Sequence, residues 1–303
     1  MPNLARLSLL PVVLIAVAAC TSGSAGSSSA PPSAVPSSGP SASPEPSGAS
    51  FGEIEHATGA TDILLRYESG GGFVAPSFMA TQAPIFTLYG DGTIVFRNPA
   101  TETPQPVGEV YPQNPFRTAK LSEDQIQQVL ANALGEGGLG VARANYENNQ
   151  VADAGTATFT VNAGGIKKTV SVYALGMEVQ GAADGPARAA FQRLADHLGN
   201  FDSAGTIATD IYQPTGYRAI LMDGSATPGQ VDWPWTDLKP SDFAFPADPN
   251  AFQQTTRVLT QAQVDALGLK DVQGGFQGLT IVSPDGGKSY SLSLRPLLPD
   301  ESV

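Results

Sequence analysis

Two tryptophans offer the most distinctive local chemistry in the chain. They are Trp233 and Trp235, separated by one proline, with Asp232 and Asp237 close by. Adjacent indole rings can stack on sugar rings or grip a proline-rich peptide, because they present a large and rigid contact surface. The four residues are therefore predicted to bind a ligand. The alternative is that the two rings close the base of a loop against the core.

Carboxylates are the second chemical resource of the same region. Five aspartates fall in a proline-rich stretch, at Asp223, Asp232, Asp237, Asp242 and Asp248. They could bind Ca²⁺, which prefers several oxygen ligands, but the sequence lacks the D-x-D-x-D-G spacing of a calcium loop. A hydrolase built on two of them would need its carboxyl groups to face each other across a cleft roughly 5–10 Å wide. The simpler interpretation is a set of solvated, turn-forming aspartates.

The sequence contains fragments of known catalytic and cofactor motifs, but none lies in the secondary-structure context that the motif requires. Residues 135–140 match G-x-G-x-x-G, but they follow a predicted helix instead of opening one, so they lack the geometry of a dinucleotide site. Residues 287–289 resemble the end of a P-loop but stand between two predicted strands. The two histidines, His56 and His197, have no ligand spacing, and neither H-E-x-x-H nor G-x-S-x-G occurs. The sequence therefore predicts a non-catalytic protein with no cofactor and no metal.

The overall charge excludes one class of partner. The chain has 303 residues and a formal net charge of −12, with a pI near 4.5. A phosphate-binding face needs clustered Lys and Arg side chains, so nucleic acid is not expected as a partner.

The segments that must position these side chains show strand and turn signals. Ile63, Leu65 and Tyr67 alternate along one predicted strand. Residues 85–89 and 93–97 flank Gly90-Asp91-Gly92, and an Asp-Gly between two apolar runs is a strong hairpin signal. Further strand pairs are predicted at 157–161 with 168–173 and at 279–282 with 289–294, together with a strand over 217–222.

Two helix starts carry the same signature. Ser122 and Gln125 form a predicted capping box, flanked by Leu121 and Ile126 at the positions of a hydrophobic staple. The run 259–264 repeats the box and the staple, and Gly274-Gly275 then echoes Gly137-Gly138. A further helix is predicted over 186–198 with Asp184 as its cap. The order of strand, capped helix, Gly-Gly and hairpin thus occurs twice, either by duplication or by reuse of good local signals.

These patterns predict an α+β fold of antiparallel hairpins with a few capped helices on one face of a sheet. The two related patterns divide the folded part into a first half, 51–202, and a smaller second half, 203–303. Whether the halves share one sheet is left open by the sequence.

The first twenty residues resemble a bacterial lipoprotein signal. Arg6 supplies a positive start, and residues 7–19 are almost purely apolar, too short for a bilayer span but suited to a signal-peptide core. Val17-Ala18-Ala19-Cys20 then resembles a lipobox, whose cysteine is the only one in the chain. The resemblance implies removal of residues 1–19 and a diacylglycerol on Cys20. An ordinary secretory signal with a chance cysteine is the alternative.

A tether follows the predicted lipidation site. Ser, Pro, Gly and Ala occupy 27 of the 30 positions from 21 to 50. Such a composition has almost nothing apolar to bury, so it cannot offset the entropy cost of ordering. Residues 20–50 are therefore predicted to be a lipidated cysteine and a disordered spacer.

Residues 61–200 resemble a broad group of uncharacterised bacterial secreted and lipoprotein domains. The resemblance rests on three runs and two single positions: Tyr89-Gly90-Asp91-Gly92-Thr93, the box at 121–125, Lys167-Lys168-Thr169-Val170, Tyr146 and Asp153. It implies a hairpin, a helix and a second hairpin, and it carries over no activity and no catalytic residue.

The sequence as a whole predicts a lipid-anchored lipoprotein on the extracytoplasmic face of the cell membrane. Its expected role is binding or scaffolding, with a protein or cell-wall partner in addition to the membrane. The alternative is an extracytoplasmic hydrolase that uses the carboxylates between Asp223 and Asp248.

Overall fold

The computed structural model describes residues 52–98, 104–108, 110–177, 181–225, 230–247, 254–285 and 287–301. The predicted signal, lipobox and tether therefore lie outside the described residues, as does Asp248. Residues 49–303 form one compact unit.

The described residues hold fourteen strands and four α-helices. The strands are β1 (Ile63–Gly71), β2 (Phe86–Tyr89), β3 (Thr93–Phe96), β4 (Tyr111–Pro112), β5 (Arg117–Lys120), β6 (Asn145–Tyr146), β7 (Gly155–Ala163), β8 (Ile166–Tyr173), β9 (Asp210–Ile211), β10 (Tyr217–Asp223), β11 (Val231–Asp232), β12 (Thr255–Leu259), β13 (Phe276–Val282) and β14 (Ser289–Pro296). The helices are α1 (Pro76–Thr81), α2 (Glu123–Leu134), α3 (Gly185–Gly199) and α4 (Gln261–Asp265).

The strands form two sheets. The first has the order β6-β8-β7-β1-β2-β3-β5-β9, and the second has the order β11-β13-β14-β10-β12, with β4 also paired to β13. All pairings are antiparallel except β6 with β8 and β11 with β13. The architecture is α+β, as the alternation and capping signals predict.

The two sheets exchange short strands. β4 belongs by sequence to the first half, yet it pairs with Phe276 and Gln277 of the second sheet. β9 follows residue 202, yet it pairs with Arg117 and Thr118 of the first sheet. The sequence boundary at 202 is therefore crossed in both directions, and each half supplies an edge strand to the other.

The first sheet buries one face under two helices. β7 alternates strictly, with Ala157, Phe159 and Val161 buried and the threonines between them half-exposed. The buried side packs against one stripe of α2 and one of α3. This one-sided burial produces the period-two signal that is visible in the sequence.

The capping boxes form as predicted. The Ser122 side chain accepts the Gln125 backbone N–H, while the Gln125 side chain accepts the Ser122 backbone N–H. Thr260 and Gln263 form the same reciprocal pair at the start of α4. At α3 the predicted cap residue is in place, although its side chain bonds elsewhere. Asp184 holds the N-cap position but makes no capping bond, because its carboxylate pairs with Arg188 at 3.0 Å.

The predicted hairpins are also present. β2 pairs with β3 around Gly90-Asp91-Gly92, and Gly92 has a φ of +82°. A side chain at this position would also clash sterically, because its Cβ would lie 2.6 Å from the Leu121 carbonyl oxygen.

His56 links the segment before β1 to α2. Its Nδ1 lies 2.7 Å from the Ala57 carbonyl oxygen and its Nε2 lies 3.0 Å from Glu123 Oε1. Burial is the largest influence and lowers the pKa of His56, but the Ala57 and Glu123 contacts together raise that pKa above its ordinary value of 6.5. Both ring nitrogens can donate at once only in the protonated ring, so these contacts favour the imidazolium.

His56→Gln is therefore expected to cost more stability in acid than in alkali. A raised folded-state pKa contributes stability that is fully present below the unfolded value of 6.5 and is lost as pH rises through the folded value. Urea unfolding of both proteins on either side of that window measures the difference, with the exposed His197→Gln as control. An equal loss of stability at acid and alkaline pH would contradict the assignment.

Candidate functional site

The predicted tryptophan surface is a core feature in the structure. Trp233 is 9% exposed and Trp235 is 6% exposed. The two rings meet edge to face, with centroids 5.0 Å apart. Trp233 Nε1 donates to the Leu238 carbonyl at 2.7 Å and Trp235 Nε1 donates to the Gln263 carbonyl at 2.8 Å. Rings that are buried and fully hydrogen-bonded offer little face to a ligand, so this arrangement favours the alternative in which they close a loop against the core.

The four candidate carboxylates that the structure describes are all exposed. Asp232 and Asp237 are exposed. Asp223 is exposed and lies 2.7 Å from Lys288 Nζ, and the Asp242 carboxylate accepts the Lys239 backbone N–H at 2.8 Å. Each of these four aspartates therefore has a solvated or turn-stabilising environment. Among the described residues, no group of three or more His, Cys, Asp and Glu is arranged to hold a metal ion.

A well-formed concavity lies elsewhere, at the seam of the two sheets. We call this site, of about 730 Å³, the seam cleft. Its wall combines the ends of β1 and β7, the segment after β8, the last turns of α3, the region of α1, and Gln277 on β13. A volume of this size is typical of sites for small molecules.

Arg97 is the cationic residue that lines the seam cleft. It directly follows β3, and its Nη2 donates to the Gly274 carbonyl at 2.6 Å. Its guanidinium lies 4.1 Å from the centroid of the Phe116 ring. Burial, followed by the nearby charge of Arg295, lowers the pKa of Arg97 to about 10. The side chain is therefore still a cation at neutral pH, but a poorly solvated one.

Arg97 has no carboxylate partner among the residues that the structure describes. The most buried of the other described arginines have such a partner. Arg188 pairs with Asp184, and Arg295 pairs with Glu301. A desolvated cation without a counter-ion is costly, so proteins usually pair such a group.

Three side-chain nitrogens around the seam cleft are shielded from solvent and have no hydrogen-bond acceptor. They are Arg97 Nε, Gln82 Nε2 and Asn114 Nδ2, and all three residues line the cleft. Leaving a buried donor unpaired costs about 1–3 kcal/mol. Three such donors on one cavity distinguish the seam cleft from the other surfaces of the described residues.

Two glycines allow close packing beside these donors. A Cβ on Gly274 would lie 2.2 Å from the Gln113 carbonyl oxygen and 2.3 Å from that of Asn114. Only glycine lets the segment that leads into β13 approach the segment after β4 this closely. Gln82 packs against Gly70 in the same way, since a Cβ there would lie 2.1 Å from Gln82 Oε1.

The remainder of the wall is mixed. Gln277 Nε2 donates to Thr81 Oγ1 at 2.7 Å and so ties α1 to the second sheet. On the α3 side, Asp196 accepts from Gln192 Nε2 at 2.8 Å. The apolar rim contains Phe78, which is 43% exposed, and Met177, which is 56% exposed.

The comparisons with known proteins gave no match from which a function could be inferred. No family model matches the chain, and no curated protein and no solved structure matches it. Of the helices in the described ranges, none is both long and apolar enough to cross a membrane.

Proposed function

We propose that this chain is a lipid-anchored, extracytoplasmic binding protein that takes a small ligand into the seam cleft. The observation that carries the proposal is the convergence of three buried, unpartnered donors on one cleft of about 730 Å³. Buried polar groups in folded proteins are almost always paired, so a cluster of unpaired ones calls for an explanation. A bound ligand that supplies the acceptors is the explanation that also uses the cavity.

The proposed role is binding rather than catalysis. Among the described residues, the cleft wall offers a guanidinium, several amides, the hydroxyls of Tyr67, Ser69 and Thr81, and one carboxylate, Asp196 of α3. Neither histidine lines the cleft. A wall of this kind can hold and orient a ligand, while it offers no histidine base next to a nucleophile.

A ligand panel tests the binding function. Residues 49–303 are unfolded thermally in the presence of Ca²⁺, sugars, cell-wall fragments and small metabolites. A ligand present at 100 times its Kd adds about 2.7 kcal/mol, which corresponds to several degrees at roughly 2–4 °C per kcal/mol for a protein of this size. A shift of this size supports the proposal. No shift with any member of a broad panel would count against small-ligand binding and in favour of a scaffold role.

The anchor rests on the sequence of the first fifty residues. Arg6, the apolar run and Val17-Ala18-Ala19-Cys20 supply the lipoprotein signal, and a two-chain lipid is sufficient for stable membrane attachment. The spacer of residues 21–50 would hold the folded unit some tens of Å from the bilayer, by the estimate of about 5–6 Å × √n for a flexible chain.

Cys20→Ala is expected to move the protein out of the membrane fraction. The variant keeps the apolar signal but lacks the thiol that carries the lipid. Metabolic labelling with a clickable fatty acid, followed by fractionation, measures both effects, with Thr21→Ala as the neighbouring control. Retention of the label in Cys20→Ala would contradict lipidation at this residue.

A further inference from the structure

We propose that the seam cleft selects a small amphiphilic carboxylate, a monoanionic acid group attached to an apolar body, with Arg97 as the anchor of the acid group. The inference rests on the proposed function and specifies the class of ligand.

The chemistry of the unpaired groups determines the charge expected of the ligand. All three unpartnered atoms are N–H donors, so their partner must be an acceptor. Among the residues that the structure describes, Arg97 is the only Lys or Arg on the cleft wall. An acceptor that meets a desolvated guanidinium gains most when it carries a negative charge, because charge-assisted hydrogen bonds are roughly twice as strong as neutral ones.

The number of charges favours a carboxylate over a phosphate ester. One guanidinium balances at most one negative charge, the two remaining donors are the neutral amides of Gln82 and Asn114, and Asp196 already adds a carboxylate on the α3 side of the wall. Guanidinium and carboxylate groups also match in geometry, since both are planar and can form two parallel hydrogen bonds. A dianionic phosphate would leave a charge unbalanced inside a protein that is already strongly acidic.

The amides can reach such a group by side-chain rotation. Gln82 follows the last residue of α1, and Asn114 lies in the short segment between β4 and β5. Both N–H groups are shielded in this structure, so contact with a ligand requires rotation about the side-chain bonds of these two residues. Arg97, by contrast, is fixed by the Gly274 carbonyl and the Phe116 ring.

The rim supplies the apolar contacts. Phe78 and Met177 are both substantially exposed and line the same cleft as Arg97, together with the half-buried Leu175. Exposed aromatic and thioether side chains at a cavity mouth suit an adaptable apolar contact. A ligand that has only an acid group would leave this rim unused.

Three matched compounds test the class: 3-phenylpropionate, 3-phenylpropan-1-ol and 3-phenylpropan-1-amine share one body and differ in the polar group. Their binding to the full chain in lipid nanodiscs is measured by calorimetry, with empty nanodiscs as the blank. The carboxylate is expected to bind at least about 10-fold more tightly than the alcohol, as follows for a hydrogen bond to a charged group. The amine is expected to bind weakest.

Arg97→Gln should remove the preference for the carboxylate and leave the weak binding of the alcohol unchanged. Arg117→Gln is the matched control, because Arg117 is a half-buried arginine of the same sheet that does not line the seam cleft. Gln82→Met provides a second variant if Arg97→Gln does not fold, and it should weaken carboxylate binding about 3-fold while keeping the side-chain length.

The outcomes separate this inference from the proposed function. Ser69→Trp places a large ring in the cleft from an exposed position of β1, on the same strand face as Tyr67. If the alcohol or amine binds as tightly as the carboxylate, and Ser69→Trp blocks all three, the cleft is a ligand site but the carboxylate class is wrong. If the compounds still bind to Ser69→Trp, the cleft itself is not the site. Failure of all three to bind at millimolar concentration would also overturn the class.

Discussion

Replacing Trp233 with alanine is expected to lower the free energy of unfolding by about 3–5 kcal/mol, the range measured for large aromatic side chains in protein cores. The ring contacts Trp235, Phe243 and Tyr290, all within 6.5 Å between centroids. Truncation removes these contacts and leaves the Leu238 carbonyl without its donor. Denaturant unfolding of residues 49–303 measures the loss.

Two further variants separate packing from hydrogen bonding at this position. Trp233→Phe keeps most of the ring but loses the N–H, so it should cost about 1 kcal/mol for the hydrogen bond together with a smaller packing term. Phe245→Ala removes an aromatic ring that is 63% exposed from the same segment and should change stability little. A soluble, fully stable Trp233→Ala that has lost binding to a ligand would instead restore the tryptophan surface as the site.

Replacing Glu301 with glutamine is expected to cost about 3–5 kcal/mol, because it leaves a buried arginine without its counter-charge. Glu301 accepts two hydrogen bonds from Arg295, at 2.7 and 2.5 Å, and a third from the Leu298 backbone N–H at 2.9 Å. Arg295 itself is 6% exposed. The pair fastens the end of the described chain to the second sheet, so its loss should loosen the segment that follows β14.

The same carboxylate gives this prediction a pH dependence. Burial is the largest influence and raises the pKa of Glu301, but the bonds from Arg295 outweigh it and hold that pKa below the ordinary value of 4.5. A depressed folded-state pKa contributes stability that is present above 4.5 and is lost as pH falls through the folded value. Glu301→Gln should therefore be less acid-sensitive than the wild type, whereas the exposed Glu136→Gln should match it. Equal stability of Glu301→Gln and wild type at neutral pH would contradict the buried-pair account.

Local features of the fold could be predicted from the sequence. The hairpin at Gly90-Asp91-Gly92 and the boxes at Ser122 and Thr260 form as expected, because turns and caps depend on residues within three or four positions of one another. The helix α3 is also where the pattern predicts it. The short strands β4 and β9 and the helix α1 were not predicted, because two-residue edge pairings and a six-residue helix carry no periodic signal.

The seam cleft could not be predicted, for a physical reason. Arg97 and Gly274 are 177 positions apart in sequence, and Gln277 and Thr81 are 196 apart. A site assembled from single side chains of distant segments has no spacing to recognise. The visible trace in the sequence is Gly274-Gly275, which repeats Gly137-Gly138. The glycines mark the place where two backbones approach closely.

The two tryptophans, unlike the seam cleft, are conspicuous in the sequence. Two indoles beside two aspartates form a conspicuous sequence pattern, but the structure buries the rings among apolar neighbours and leaves Asp232 and Asp237 exposed. Large aromatic residues supply more buried area than any others, so their prominence in a sequence is often a sign of packing.

The most direct measurement for the seam cleft is a titration of three forms of residues 49–303 with the panel ligand that gives the largest thermal shift. The forms are wild type, Ser69→Trp, and Thr160→Trp, which adds the same ring to the half-exposed face of β7, away from the cleft. We predict that wild type and Thr160→Trp bind equally and that Ser69→Trp loses at least about 10-fold in affinity, or ~1.4 kcal/mol, while all three keep the same circular dichroism spectrum. Unchanged affinity in a folded Ser69→Trp would contradict the central claim, because the ligand would then bind outside the seam cleft.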